Sequence, residues 1–316
     1  PTGPIDTNYH QLLGKSDQTL KIFIVDLKTG DLLRKIDTGI SNAFGGSLFN
    51  STIDTDRYNV NSPGFYKDDA LYFGYTKCEA GKCNKGGILR LLTQESSNPS
   101  DWVLSVVIDN IGPVTASVTK LQDRKNGNLW LFFGTGRYFY KAGVDIDDPG
   151  DRSDPSTRRK IFGLKEPCYL PSSNDIFSPC SLTVSPATLK NQTENPSSDI
   201  GLYQGWYIEL DPPDGYYLQE RLITDPLAAF TGTVFFTTFK PSSDTCSVGG
   251  STHVWAVKYD TGGYPGSALR GKALLQVSTG EIREMNLATF FTQKEGRRSE
   301  AITGMPPKGQ GLSVLI

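Results

Sequence analysis

The chain is cut into short β-forming runs, and that punctuation rules out most folds before any motif is considered. KIFIVD (21–26), ALYFGYT (70–76), GILRLLT (87–93), WVLSVVI (102–108), NLWLFFG (128–134), GWYIEL (205–210), TVFFTTF (233–239) and THVWAVKY (252–259) are rich in β-branched and aromatic residues. Clusters of Gly, Pro, Asn, Asp and Ser separate them, and the chain holds 33 Gly and 19 Pro. Such residues make turns: Gly takes positive φ, Pro presets φ, and Asx side chains cap the bend. No stretch of twelve or more residues keeps a 3.6-residue apolar period, so helices are expected to be minor and the fold class all-β.

A weak internal repeat narrows the architecture. IVDLKTGDLLRKI (24–36) sets an Asp and a Thr-Gly between two strand-like runs, and WAVKYDTGGYP (255–265) and QVSTGEIRE (276–284) echo it. Hairpins repeated at four strands per unit are the signature of propeller blades, although a β-sandwich would offer similar strands. Counted in fours, residues 20–37 give an outer hairpin, 48–108 one blade, 114–223 a second swollen by an insertion at about 141–204, and 225–278 a third. The expectation is an N-terminal extension over 1–19 and a partial propeller over 20–316, of about three and a half blades where closed rings have about four to eight. An N-terminal segment or a second chain is expected to supply the remaining blades.

Charge and cysteines speak to partners and compartment. The 32 Lys and Arg against 34 Asp and Glu give a net charge of −2 without a long single-sign block, which argues against nucleic acid. No apolar run approaches the roughly 20 residues that a bilayer span needs, and the chain begins at Pro1 without a leader, as a mature product or an excised piece would. Cys78 and Cys83 bracket EAGK, and Cys168 and Cys180 bracket a Pro-, Ser- and Asn-rich segment. Both pairs read as loop-closing disulfides of an oxidising compartment, with free thiols as the alternative, and Cys246 is left over. No CxxC pair accompanies the two histidines, His10 and His253, which argues against structural zinc.

LWLFFGTGRYFY (129–140), the preceding IGPVTASVTK, WYIEL (206–210) followed by RLITDPLAAFTGTVFFTTFKPSSDTCSVGGS (221–251), and VDLKTGDLLRKIDTG (25–39) resemble the C-terminal domain of PilY-type proteins. The resemblance runs from about residue 20 to 270, with FGTGRYF and TTFKPSSDTCSVGGS as its most specific parts. It implies a modified, quinoprotein-like β-propeller with long inserted loops. It also implies a non-enzymatic type IV pilus adhesin and assembly factor, exported to the cell surface and pilus tip in association with the outer membrane. Its expected partners are the minor pilins of the tip complex and a host or abiotic surface, with roles in the balance of pilus assembly and retraction and in twitching motility.

The same resemblance bears on IDTDRYN (53–59). The family carries a calcium loop of alternating carboxylates that ends in an Asp before a blade strand. Asp54 and Asp56 match its first positions, Asp69 before ALYFG matches the last, and Asn59 (or Asn61) stands where a further ligand would be. Calcium suits such a loop because it takes six to eight oxygen ligands. Arg57, Tyr58 and the inserted VNSPGFYK depart from the pattern, so a polar turn held by Asx bonds is the alternative. A second acidic run, GVDIDDPGDRSD (143–154), places Asp145, Asp147 and Asp151 at relative positions 1, 3 and 7 with Gly150 at 6, but Ser156 stands at position 12; a solvated polar face is the plainer reading.

Two other functions are compatible with a propeller pattern. Quinoprotein dehydrogenases share the blade hairpins but use an adjacent cysteine pair, and no two cysteines are adjacent here. GTG (134–136) leads into another strand-like run, unlike a phosphate-binding loop, and His253 sits in a strand pattern where a core role is the plainer one. A carbohydrate- or surface-binding propeller unrelated to pili would stack sugars on Tyr216, Tyr217 or Trp206, whereas aromatics in strand patterns fill blade cores.

Overall fold

A computed structural model describes residues 14–57, 60–61, 67–80, 82–137, 158–242, 249–276, 282–303 and 313–314, with Gly3, Ile5 and Thr7. Its elements are almost entirely strands; the one α-helix among the described residues is the single turn Leu287–Phe290.

Three antiparallel-rich sheets follow one another along the chain. Sheet 1 orders Ala43–Gly45, Ala70–Glu79, Lys82–Leu92 and Val103–Ile108, with Thr52–Ile53 also paired to Ala70–Glu79. Sheet 2 orders Lys190–Asn191, Gly205–Glu209, Lys160–Lys165, Asn128–Gly134 and Thr119–Asp123. Sheet 3 is built on Thr233–Pro241 and Gly250–Lys258, flanked by Arg221–Leu222 and Leu227–Ala228 on one side and by Arg298–Ser299, Phe291–Gln293 and Ile302–Thr303 on the other. The hairpin Lys21–Val25/Leu32–Asp37 precedes them, and a small sheet of Lys272–Gln276, Ile282–Asn286 and Ser313–Val314 stands apart from sheet 3. All-β blades were legible; two assignments of strands to blades were not. Lys272–Gln276, counted with the third blade, pairs instead with Ile282–Asn286 in a separate sheet. Lys160–Lys165, inside the stretch read as an insertion, is a central strand of sheet 2.

The period of two along each strand decides how the sheets stack. In Asn128–Gly134, Leu129, Leu131 and Phe133 face sheet 1, where Tyr72, Ile88 and Leu92 meet them, while Trp130 and Phe132 face sheet 3 and join Val234, Phe236 and Trp255. Sheet 1 turns Phe73, Tyr75, Leu89 and Leu91 toward Ile22 and Ile36 of the hairpin. Sheet 3 turns Phe235, Val254 and Ala256 toward Ala273 and Met285. Each sheet is thus apolar on both faces, as blades of a propeller must be.

One close approach fixes the middle interface. Gly163 lies opposite Trp206 across two strands of sheet 2, and a Cβ on Gly163 would come within 2.4 Å of the indole. Trp206 is fully buried and donates Nε1–H to the Tyr259 carbonyl at 2.9 Å, so it cannot swing away without losing that bond. Gly163→Ala is therefore expected to destabilise by roughly 1–3 kcal/mol through overpacking; a thermal melt unchanged from wild type would show that the indole can shift. The same burial removes Trp206 as a sugar platform, while Tyr216 is exposed.

Candidate metal centre

The loop that follows Thr52–Ile53 and the residue that precedes Ala70–Glu79 meet because the Asp69 N–H donates to the Ile53 carbonyl at 2.8 Å. This pairing brings the carboxylates of Asp54, Asp56 and Asp69 together, one oxygen of each lying within 4.8 Å of the others. Asp56 and Asp69 are buried, and Asp54 is half-buried. Thr55 between them ties the loop down: its N–H and Oγ1–H both donate to Asp69 Oδ2 at 2.6 Å. Its carbonyl accepts from Gln122 Nε2 at 2.8 Å and from an Arg124 guanidinium at 2.9 Å, so sheet 2 holds the loop of sheet 1.

The electrostatics are those of crowded, partly desolvated carboxylates. Burial, with repulsion from Asp56 and Asp69, pushes the Asp54 carboxyl up to about 6. Burial raises Asp69 as well, against the two bonds from Thr55. Asp54 Oδ1 and Asp56 Oδ1 are buried without a hydrogen-bond partner, an arrangement that costs free energy unless something neutralises it. A hard divalent ion such as calcium fits the donor set, since carboxylate oxygens are its preferred ligands. Arg57 is exposed, and its charge acts on Asp54, holding that carboxyl down against burial and the neighbouring carboxylates.

Two carboxylates that the loop spacing did not indicate extend the cluster. Asp175 comes from the small hairpin Tyr169–Leu170/Asp175–Ile176 and lies 3.4 Å from Thr55 Oγ1, across 120 residues of sequence. Burial raises its carboxyl, and Asp56 adds to the rise. Glu95 is pushed up to about 7 by burial and by Asp56, Asp69 and Asp175. It sits with Gln94 in a turn where both residues have positive φ, a conformation that non-glycine residues adopt at a cost. No spacing rule could have found either residue; a turn of two strained polar residues beside a blade strand is the only local mark. Asn59, the acidic run 143–154, His10 and Cys246 lie outside the described residues.

Elsewhere the side chains singled out by sequence are structural. His253 is buried and its Nδ1 lies 3.3 Å from the Ser299 carbonyl. Cys78 is bonded to Cys83 and Cys168 to Cys180. The second disulfide packs in the core between sheets 1 and 2, beside Arg90, which reaches the Cys180 carbonyl at 3.3 Å. Among the described residues no helix is long and apolar enough to cross a membrane.

No protein-family model matches the chain. A type IV pilus biogenesis factor PilY1 homolog from Xylella fastidiosa (strain Temecula1 / ATCC 700964) is 24% identical over 219 residues, which covers 64% of this chain and 17% of that protein. The crystal structure of the Pseudomonas aeruginosa PilY1 C-terminal domain superposes with a TM-score of 0.55 at 16% identity, covering 91% of this chain and 61% of the other. The chain therefore spans less than two thirds of each of these two proteins. Sequence similarity to one and likeness of fold to the other meet on the same kind of protein, the PilY-type C-terminal domain, and the chain shares its β-propeller-like fold.

Proposed function

We propose that the chain is the propeller portion of a type IV pilus-associated protein, non-enzymatic, whose carboxylate cluster takes calcium and so tunes the balance of pilus assembly and retraction. The observation that carries this reading is the joint similarity, in sequence and in fold, to PilY1 proteins, one of them described as a type IV pilus biogenesis factor. The ion would be held by Asp54, Asp56 and Asp69, with Asp175 and Glu95 beside them and Asn59 on the same loop. Bound there, it would fix that loop to sheet 2 through Thr55.

The bonded cysteine pairs support export, because such bonds persist outside the reducing cytosol. Adhesion to a host or abiotic surface, and contact with minor pilins at the tip, belong to the same proposal. The hairpin bears on closure of the ring. It exposes Phe23, Val25, Leu32 and Leu33 at 47–57%, apolar side chains that a neighbouring blade would cover. Further blades of the same propeller are its occupant in this reading, since the chain covers only 61% of the PilY1 domain it superposes on.

The test is made in cells. A strain lacking the gene is restored with the full-length protein, either wild type or Asp54→Ala/Asp56→Ala, and sheared surface pili and twitching zones are measured. Wild type should restore both, and the double variant should restore pili in altered number with reduced twitching. Pili and motility unchanged by the deletion would end the pilus reading; a double variant equal to wild type would end the calcium one.

A further inference from the structure

Asp175 reaches the carboxylate cluster on a loop that a covalent bond closes. Cys168 is bonded to Cys180, and the hairpin Tyr169–Leu170/Asp175–Ile176 lies between them. Strand alternation divides the hairpin: Tyr169 and Ile176 pack in the core with both cysteines, while the neighbouring Asp175 stands 3.4 Å from Thr55 Oγ1. The same hydroxyl donates to Asp69 Oδ2 at 2.6 Å, so one buried threonine touches a carboxylate of the trio and a carboxylate of the loop.

One amide gathers the loop and the cluster. Gln122 Nε2 of sheet 2 lies 2.8 Å from the Thr55 carbonyl, 3.0 Å from the Tyr169 hydroxyl and 3.2 Å from the Asn174 carbonyl. The Tyr169 hydroxyl in turn donates to Asn174 Oδ1 at 3.2 Å, which fixes the residue just before Asp175. On its other flank the loop seats Pro171 against Gly127, where a Cβ would come within 2.6 Å of the proline ring. Asp56 supplies an independent mark of a ligand: it is 7% exposed, and its Oδ1 is buried without a hydrogen-bond partner among the described residues. A cation satisfies such an oxygen.

We propose that the Cys168–Cys180 loop is part of the cation site and that closing its bond sets the affinity, an inference that rests on the calcium reading. Closed, the bond confines the loop to conformations that keep Asp175 at Thr55, where it acts as an outer carboxylate behind Asp69. With two thiols the loop samples other conformations, and the ion loses that charge. The bond forms by thiol–disulfide exchange: a disulfide oxidant takes the hydrogens of both cysteines and leaves as two thiols. Cys168 is 0% and Cys180 3% exposed, so in the folded protein a second exchange cannot reach the sulfurs. The bond is a latch set once, and the site gains its full affinity only in an oxidising compartment.

Calcium titration calorimetry of wild type, Asp175→Asn, Asp175→Glu and Cys168→Ser/Cys180→Ser tests this. Asp175→Asn and the serine pair should each bind calcium about tenfold or more weakly, and Asp175→Glu should keep most of the affinity. The triple variant Asp175→Asn/Cys168→Ser/Cys180→Ser should be no weaker than the weaker of its parents, because the bond acts through Asp175. Melts in chelator check folding; Asp175→Asn keeps an acceptor for the Ile176 N–H and should match wild type. If the serine pair does not fold, wild type equilibrated in a glutathione buffer reads the same factor by reciprocity. Saturating calcium should then raise the oxidation constant of Cys168–Cys180 about tenfold, followed by peptide mapping. Wild type that binds no calcium at millimolar concentration overturns the calcium reading and this proposal together. Wild-type affinity in Asp175→Asn or in the folded serine pair, no recovery in Asp175→Glu, additive losses in the triple variant, or an oxidation constant indifferent to calcium overturns this proposal alone.

Discussion

Glu166→Ala should lower stability by about 3–5 kcal/mol, because it leaves the Arg90 guanidinium buried without its carboxylate. Both side chains are fully buried in the core between sheets 1 and 2, and the guanidinium donates to Glu166 Oε1. The same oxygen accepts from the Cys168 N–H at 2.8 Å, and the other arm of Arg90 donates to the carbonyls of Leu182 at 3.1 Å and Cys180 at 3.3 Å. One ion pair therefore fastens the whole excursion between Lys165 and Gly205 to the first sheet. Burial pushes the Glu166 carboxyl up while Arg90 pulls it down, so the pair survives on geometry rather than on solvation. The matching double variant Arg90→Met/Glu166→Leu, which removes both charges into an apolar core, should recover most of the loss. Chemical denaturation of the three proteins measures this. A loss of under about 1 kcal/mol for Glu166→Ala would mean that the excursion packs without the pair.

Asp56→Ala should abolish calcium binding in titration calorimetry, with affinity falling by roughly two orders of magnitude or more as one carboxylate leaves the donor set. The sign of its effect on folding should depend on the ion. With a chelator present, the variant should be at least as stable as wild type, because Asp54, Asp56 and Asp69 crowd like charges into partly desolvated space. With calcium at a hundredfold excess over the dissociation constant, wild type should gain about 2.7 kcal/mol that the variant does not. A wild-type melt that ignores calcium at millimolar concentration would leave these residues as a turn held by Thr55.

The parts of this protein that could be read from its sequence are those set by near neighbours. NLWLFFG reads as a strand because it is a short, aromatic-rich apolar run, and the structure sends Leu131 and Trp130 to opposite cores. Asp54, Asp56 and Asp69 came together in the sequence only through the resemblance to a family loop, and the structure lays their carboxylates side by side. Asp175 and Glu95 were not legible, since they reach the cluster by tertiary packing. The Arg90–Glu166 pair was hidden for the same reason: 76 residues separate its members, and each alone looks like an ordinary charged residue beside a strand. KIFGLK was passed over among polar neighbours, although its Ile161, Phe162 and Leu164 are core residues.

The four apolar cores come in chain order, each shared by two consecutive layers. A mechanical load drawn along the chain from either end would therefore meet one seam at a time, and each seam would have to open before force reached the next. The seam between sheets 1 and 2 differs from the rest, since the Arg90 ion pair, the Thr55 ties to Gln122 and Arg124 and the bonded Cys168–Cys180 loop all cross or brace it. Under tension the outer layers would peel first, and the carboxylate cluster would ride intact on the most strongly fastened part of the molecule.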